Sequence, residues 1–331
     1  MKKVLLSGMR PTGKLHLGHL VGALHNWVNL QEEYECYFMI ADWHALMSEY
    51  EDPAKIRDYI YENLLDWLAV GLDPQKCTIF VQSHVPEHLE LYMSFSTLTP
   101  LGWLERCPTY KEQMRELKDR HLATYAFLGY PVLQAADICL YNSAVVPVGE
   151  DQLPHLELTR EIVRKFNGMY AEVFVEPKPL LTQMPRLLGL DGRKMSKSYD
   201  NFIALSDSRE VIAKKVQTMF TDPKRIKKTD VGHPDHCNVC QYFGVFAPAM
   251  VDEVKTWCCQ AQKGCTECKK ILAEQLGDYL VPLQQKRAKL ALDRARLNQI
   301  LETGRRKAQE KAHSTIEKVR NHVGFLSCPI K

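Results

Sequence analysis

No stretch of the 331 residues approaches the run of about 18 apolar residues that a membrane-spanning helix needs. The start is not expected to be an export signal, because only Val4-Leu5-Leu6 stand between Lys2-Lys3 and Ser7-Gly8, too few for its apolar core. Low-complexity tracts and internal repeats are missing, and 45% apolar with 25% charged residues is a globular composition. Nor is there a large excess of one charge. Lys and Arg number 43 against 40 Asp and Glu, a net charge of +3, which excludes an uncompensated polycation but leaves room for local basic faces. Cysteine, by contrast, is abundant, with 11 in the chain. Cys36, Cys77, Cys107, Cys139 and Cys328 are scattered, whereas Cys237, Cys240, Cys258, Cys259, Cys265 and Cys268 cluster. A secreted disulfide scaffold spreads its cysteines through a short chain, so clustering points to a metal and a reducing, cytoplasmic setting.

The length suits two compact units, or one α/β unit with an appended piece. Short apolar runs at Val4–Leu6, Cys36–Ile40, Thr78–Val81 and Ala144–Val148 read as strands. Helical patterns run from His16 to Leu30, from an expected N-cap at Asp52-Pro53, from near Pro86, and from Asp151 to about Phe166. Strands interleaved with helices predict an α/β fold, a Rossmann-type doubly wound parallel sheet whose ligands bind at the carboxyl ends of its strands. Prolines and glycines break the pattern over 177–200. A mostly helical region follows, with a long helix from about Gln284 interrupted at Gly304. The expected division is a Rossmann-type unit over 1–193, a smaller all-helical unit over 194–293 that carries the cysteines, and a final helix over 294–331 packing back on the first.

Gly13-Lys14-Leu15-His16-Leu17-Gly18-His19 follows the first strand. Gly13 and Gly18 have Walker A spacing, but His19-Leu20 stands where Lys-Ser/Thr is required, and no Gly-x-Gly-x-x-Gly occurs there. Two imidazoles at a helix start suit a different phosphate site. Its unpaired N–H groups attract anions, Gly18 lets a nucleotide approach, and His16 and His19 can donate to phosphoryl oxygens. A second loop, Asp191-Gly192-Arg193-Lys194-Met195-Ser196-Lys197-Ser198, sets Lys194 and Lys197 three apart.

Together these motifs resemble the two signatures of class I aminoacyl-tRNA synthetases, the second matched in all five letters from Lys194 to Ser198. Gly8-Met9-Arg10-Pro11-Thr12-Gly13, Ala41-Asp42-Trp43-His44-Ala45, Tyr130 to Ile138, and Val146-Pro147-Val148-Gly149-Glu150-Asp151-Gln152 are similar to segments of the bacterial-type tryptophanyl-tRNA synthetases, in the same order along the whole chain. The resemblance implies activation of L-tryptophan by ATP with Mg²⁺, release of pyrophosphate, transfer to tRNA(Trp), and a homodimer. It assigns His16, His19, Lys194 and Lys197 to the reacting phosphates. It assigns Arg10, Pro11, Thr12, Gly18, Lys111, Gly149, Glu150, Asp151, Leu187, Leu188, Met195, Ser196 and Ser198 to the nucleotide. Leu6, His44, Tyr130, Asp137, Val146 and Gln152 would surround the amino acid, with Asp137 accepting the indole N–H and Gln152 holding the ammonium. The nearest rivals are the tyrosyl enzyme and a metal-dependent RNA-binding protein.

Cys237, Cys258, Cys265 and Cys268 resemble the ligand set of a [4Fe–4S] cluster found in a subset of that family. Four thiolates suit iron–sulfur and Zn²⁺ equally by ligand type, and the resemblance favours iron. The 20 residues between Cys237 and Cys258 depart from the family's 22, so Cys259 stands as an alternative to Cys258. Lys224-Arg225-Ile226-Lys227-Lys228 and the basic stretch from Arg305 to Arg320 read equally as tRNA contacts or as solvated helix faces.

Overall fold

The computed structural model describes residues 2–116, 121–181 and 187–326, without the side chains at 112, 113, 115, 116 and 198. Cys328 lies outside the described residues. Five strands form one sheet: β1 Val4–Met9, β2 Glu35–Ile40, β3 Thr78–Val81, β4 Val145–Val148 and β5 Lys178–Leu181. All pairings are parallel, in the order β3-β2-β1-β4-β5. The run Cys36–Ile40 is buried residue by residue, as a strand covered on both faces must be. Its alternation sends Phe38 and Ile40 into one core layer and Tyr37 and Met39 into the other.

β5 was not expected. Its Pro179 and the following breakers suggest irregular structure, yet β5 borders only β4, and an edge strand tolerates a residue that cannot donate to the ladder. Asp52 also departs from expectation, since its side chain makes no capping bond and a single 3₁₀ turn, Pro53–Lys55, intervenes before the helix.

The first helix opens at Leu17–His19 (α1), passes through a π-helical stretch, Leu20–Leu24, and continues as His25–Glu33 (α2). Asp42–Glu49 (α3), Ile56–Val70 (α4), Glu87–Leu98 (α5), Leu101–Glu105 (α6), Pro108–Glu116 (α7), Tyr125–Leu140 (α8) and Leu153–Met169 (α9) complete the wrapping of the sheet. Trp27 stacks on Phe38 at 4.6 Å and meets Trp67 edge-on at 5.1 Å, filling the layer beneath β2.

Arg209–Gln217 (α10), Asn238–Phe246 (α11), Val251–Cys259 (α12) and Cys265–Ala291 (α13) follow, and Ile212, Tyr242 and Leu276 extend the same core layer. Arg287 of α13 reaches the buried Asp66 at 2.8 Å and also Glu62, tying α13 to α4. The last helix, α14, is Arg294–Val323.

Two sequence expectations need correction here. The long helix starts at Cys265, not near Gln284, and the break falls between Ala291 and Arg294. Gly304 does not interrupt α14. A Cβ at that position would sit 1.8 Å from the Ile79 carbonyl oxygen, so the glycine is there to let helix backbone touch strand backbone. Arg320 makes a two-pronged bond to Glu90 of α5 at 2.7 Å, and Arg305 pairs with Glu302. These arginines of the basic stretch hold protein carboxylates.

Candidate active site

In a sheet of this order, the strand connections reverse direction between β1 and β4, and ligands bind beyond the carboxyl ends there. Two cavities occupy that place. One, of about 320 Å³, is walled by Leu6, Met39, Phe127, Ile138, Val146 and Val148, with His44, Tyr130, Asp137, Gln152 and His155 as its polar groups. All six residues expected around an amino acid line it. The other, of about 770 Å³, is lined by Arg10, Pro11, Thr12, His16, His19 and Lys194 to Lys197. Glu49, Glu51, Asp52 and Lys55 form its outer rim, unmarked by any sequence motif. Arg10 lines both cavities, so a group reaching from one to the other passes its guanidinium.

The floor of the smaller cavity is a buried carboxylate. Asp137 is 2% exposed. Its Oδ1 accepts from Gln82 Nε2 at 2.8 Å and from His88 Nδ1 at 2.7 Å, while His44 Nε2 lies 2.7 Å from Oδ2. Burial alone would raise the pKa of this carboxyl, but hydrogen bonds from His44 and His88 outweigh it and bring the group down to about 2. Asp137 is therefore an anion, kept in an apolar pocket by donors.

Opposite it, His155 organises a second set. Burial, helped by His44, lowers its pKa to about 4, so the ring is neutral. Nδ1 faces Gln152 Oε1 at 2.9 Å and carries the proton, which leaves the single Nε2 lone pair facing the Thr109 hydroxyl at 2.6 Å and the Tyr130 hydroxyl at 2.8 Å. Gln152 and Tyr130 are thus fixed through a histidine that was not among the expected site residues.

In the larger cavity, the helix-start N–H groups are not unpaired as the motif suggested. Leu17 N donates to Ile203 O at 3.1 Å, Gly18 N meets Met195 Sδ at 3.3 Å, and His19 N donates to His16 O at 2.9 Å. An anion at this end of the fold would consequently be met by side chains. Burial and then Lys197 lower His16 to about 3, and burial, His16 and Lys197 hold His19 well below its ordinary range. Both rings are neutral, 3.7 Å apart, and His16 Nδ1 is buried without a partner.

Lys197 donates to Gly13 O at 3.0 Å, across the turn that Gly13 makes at φ +134°. Burial lowers its pKa to about 8, Arg10 adds to the effect, and Glu49 and Asp66 oppose it. The lysine loop itself is held by Asn201, which accepts from Ser196 N at 2.9 Å and donates to Asp191 Oδ1 and Lys194 O.

Other expected nucleotide residues line neither cavity. Gly149, Glu150 and Asp151 lie just past the end of β4, Lys111 is on the surface of α7, and Leu187 is buried beside Leu188 ahead of the loop. Gly18 faces the His16 ring and Met195 Sδ, so that in this arrangement Met195 takes the space a nucleotide would need there. The Ser198 side chain lies outside the described part.

Away from the sheet, Cys237, Cys240, Cys258, Cys265 and Cys268 converge on a single apolar cavity with Val239, Val254 and Trp257. Cys259 is exposed and outside it. The space is about 20 Å³, and among the described residues no three His, Cys, Asp or Glu side chains stand ready as a metal cluster. Arg225, from the basic segment that reads equally as a tRNA contact or a solvated face, turns inward to Lys228 O, Lys263 O and, at 3.9 Å, Cys258 Sγ.

The profile of the family described as "tRNA synthetases class I (W and Y)" matches residues 2–281. A tryptophan–tRNA ligase of Thermotoga maritima is 47% identical, covering 97% of this chain and 99% of its own length. One from Aquifex aeolicus is 42% identical, with 96% and 98% covered. Among solved structures, the tryptophanyl-tRNA synthetase of Campylobacter jejuni, complexed with ADP and tryptophan, aligns with a TM-score of 0.89 at 32% identity, over 97% of this chain and all of that one.

Proposed function

The chain belongs to the class I tRNA synthetases of the tryptophan and tyrosine group, and from that premise we propose that it joins L-tryptophan to ATP and passes the aminoacyl group to tRNA(Trp). One observation carries the amino-acid assignment. An apolar cavity ends on an ionised, buried Asp137, which suits a flat aromatic side chain with a single N–H. Phenylalanine would fill the space and leave the carboxylate without its ligand donor, a mismatch that discriminates strongly.

Activation needs no protein nucleophile. The tryptophan carboxylate attacks the α-phosphorus of ATP, the bond to the bridging oxygen breaks, and pyrophosphate leaves. The chain contributes position and charge. Tyr130 and Gln152, fixed by His155, hold the amino-acid end, and Arg10 stands where carboxylate and α-phosphate meet. His16 and His19, as neutral imidazoles, donate to phosphoryl oxygens, while Lys194 and Lys197 take the charge of the leaving pyrophosphate. Mg²⁺ would come with the nucleotide rather than sit in a protein cage, and would offset the charge of its phosphates. Met195 would withdraw from Gly18 as the loop closes on ATP, freeing the place beneath the nucleotide and bringing Met195, Ser196 and Ser198 to the phosphates. The adenosine would extend across the end of β4 toward Gly149, Glu150 and Asp151, with Leu187 or Leu188 at the base.

ATP–pyrophosphate exchange tests this. Tryptophan should support it, with tyrosine and phenylalanine lower by roughly 10³-fold or more in kcat/KM. Exchange driven by tyrosine instead would assign the chain to the other branch of its family.

For the cysteine cavity we propose a [4Fe–4S] cluster on Cys237, Cys258, Cys265 and Cys268. The support is the donor set, with thiols from three elements facing apolar walls and Cys258 inside where Cys259 is not. The cavity must open to admit it, since it now has room for about one water molecule. Such a cluster would cross-link the start of α13 to α12 and the segment before α11, and would supply no electron to the ligation. Anaerobically purified protein should be brown and contain iron in excess of zinc. Cys268→Ser should lose the colour, and Cys240→Ser should keep it. Colourless, zinc-loaded protein would remove the iron reading and leave the enzyme reading standing.

A homodimer fits the exposed apolar side chains Leu46, Leu89, Met93, Leu101 and Tyr125, carried by α3, α5, α6 and α8. A monomer by sedimentation would remove this reading.

A further inference from the structure

Asp137 is supported from below by groups that touch no ligand cavity. His88, at the start of α5, and Tyr141, just past α8, are both fully buried, and His88 Nε2 lies 2.8 Å from the Tyr141 hydroxyl. Gln82 follows β3 and is equally buried. None of the three lines the amino-acid cavity. From this geometry we infer that His88 and Tyr141, with Gln82 beside them, are positioning residues that set amino-acid specificity by fixing which oxygen of Asp137 faces the substrate; this rests on the reading of that cavity as the tryptophan site.

Proton accounting fixes the direction of the relay. Burial, with Asp137 adding its charge, pushes the Tyr141 phenol well above its ordinary range, so the hydroxyl keeps its proton. Its O–H donates to His88 Nε2. The Asp137 carboxylate can only accept, so the facing Nδ1 carries a proton, and that N–H donates to Asp137 Oδ1 at 2.7 Å. Oδ1 already accepts from Gln82 as well. With two donors on Oδ1 and, among the described residues, only His44 on Oδ2, the oxygen left to receive a further N–H is Oδ2.

Packing removes the alternatives. The His88 ring lies near-parallel to Phe80 at 6.1 Å and meets Trp43 edge-on at 6.4 Å, and Tyr141 stacks on Tyr37 at 4.8 Å. A ring so enclosed cannot flip to offer its other nitrogen. The carboxylate plane is thereby set before substrate arrives, which spares the binding step that ordering cost.

Tyr141→Phe removes one hydroxyl and keeps the stacking. His88 Nε2 is then left without the hydroxyl, and the ring that donates to Asp137 loses its second anchor. In ATP–pyrophosphate exchange, KM for tryptophan should rise about tenfold, with kcat and KM for ATP changing by less than about twofold. His88→Leu should raise KM for tryptophan further, by about 50-fold, and reduce the preference for tryptophan over phenylalanine. His88→Asn, whose amide can reproduce the donor to Oδ1, should recover part of that loss. Should His88→Leu fail to fold, Tyr141→Phe and His88→Asn decide the matter. An unchanged KM for tryptophan in Tyr141→Phe, or parallel losses in kcat and in KM for ATP, would overturn the relay. Absence of tryptophan-dependent exchange in the unmodified enzyme would overturn the functional reading, and the relay with it.

Discussion

Lys197→Ala is expected to lower kcat for adenylate formation by about 10²- to 10³-fold, the usual loss when one preorganised charge opposite a developing anion is removed. KM for tryptophan should hardly move, because Lys197 lines only the phosphate cavity. The lysine also gives a pH signature. Burial and Arg10 lower its pKa to about 8, so the charged form predominates below that value and is lost above it. In the free enzyme, kcat/KM for ATP should fall as pH rises through about 8. Lys197→Arg, which keeps its charge throughout, should retain part of the activity and lose that alkaline limb. Stopped-flow measurement of adenylate formation reads both effects, and an alkaline limb that persists in Lys197→Arg would assign it to another group.

Asp137→Asn is expected to strike the amino acid and spare the nucleotide. The carboxylate offers two oxygens to Gln82, His88 and His44. An amide offers one, and its NH₂ meets donors. At least one of the three donors, two of them fully buried, is left without an acceptor, at a cost of about 1–3 kcal/mol in stability. With the indole N–H unserved as well, kcat/KM for tryptophan should fall by roughly 10²- to 10³-fold and the preference over phenylalanine should fall with it. KM for ATP should stay within about twofold. Exchange kinetics with both amino acids decide this, and an unaltered preference would mean that a different group reads the indole.

Both predictions draw on residues that the sequence marks through local motifs. The strands up to β4 were equally legible, because each is a short apolar run bounded by turn residues. β5 was not, since four residues with a proline carry no period and only the sheet edge makes them a strand. Gly304 misled for a related reason, as a glycine reads like a helix break until the strand beneath it is seen. Gln82 and His88 were invisible because their partner Asp137 is brought to them from a distant segment by the packing of α5 on α8, and Tyr141, one turn beyond Asp137, joins the set only through His88. His155 follows Gln152 at helical spacing, a pairing that one polar residue facing another on a buried stripe could have suggested. Asn201 lies just beyond the lysine loop, and a motif that stops at Ser198 passes it over.

The two borders of the sheet bear on how the molecule survives at high concentration. A border strand exposes backbone groups that another molecule can extend into a shared sheet. β3 is one border, and α14 lies over it so closely that Gly304 abuts the Ile79 carbonyl oxygen. β5 is the other, four residues long, with Lys178 exposed and Pro179 lacking an N–H. One side is shielded by a helix and the other is blunted by its own composition, so neither side offers a long ladder on which a second molecule could grow a fibre.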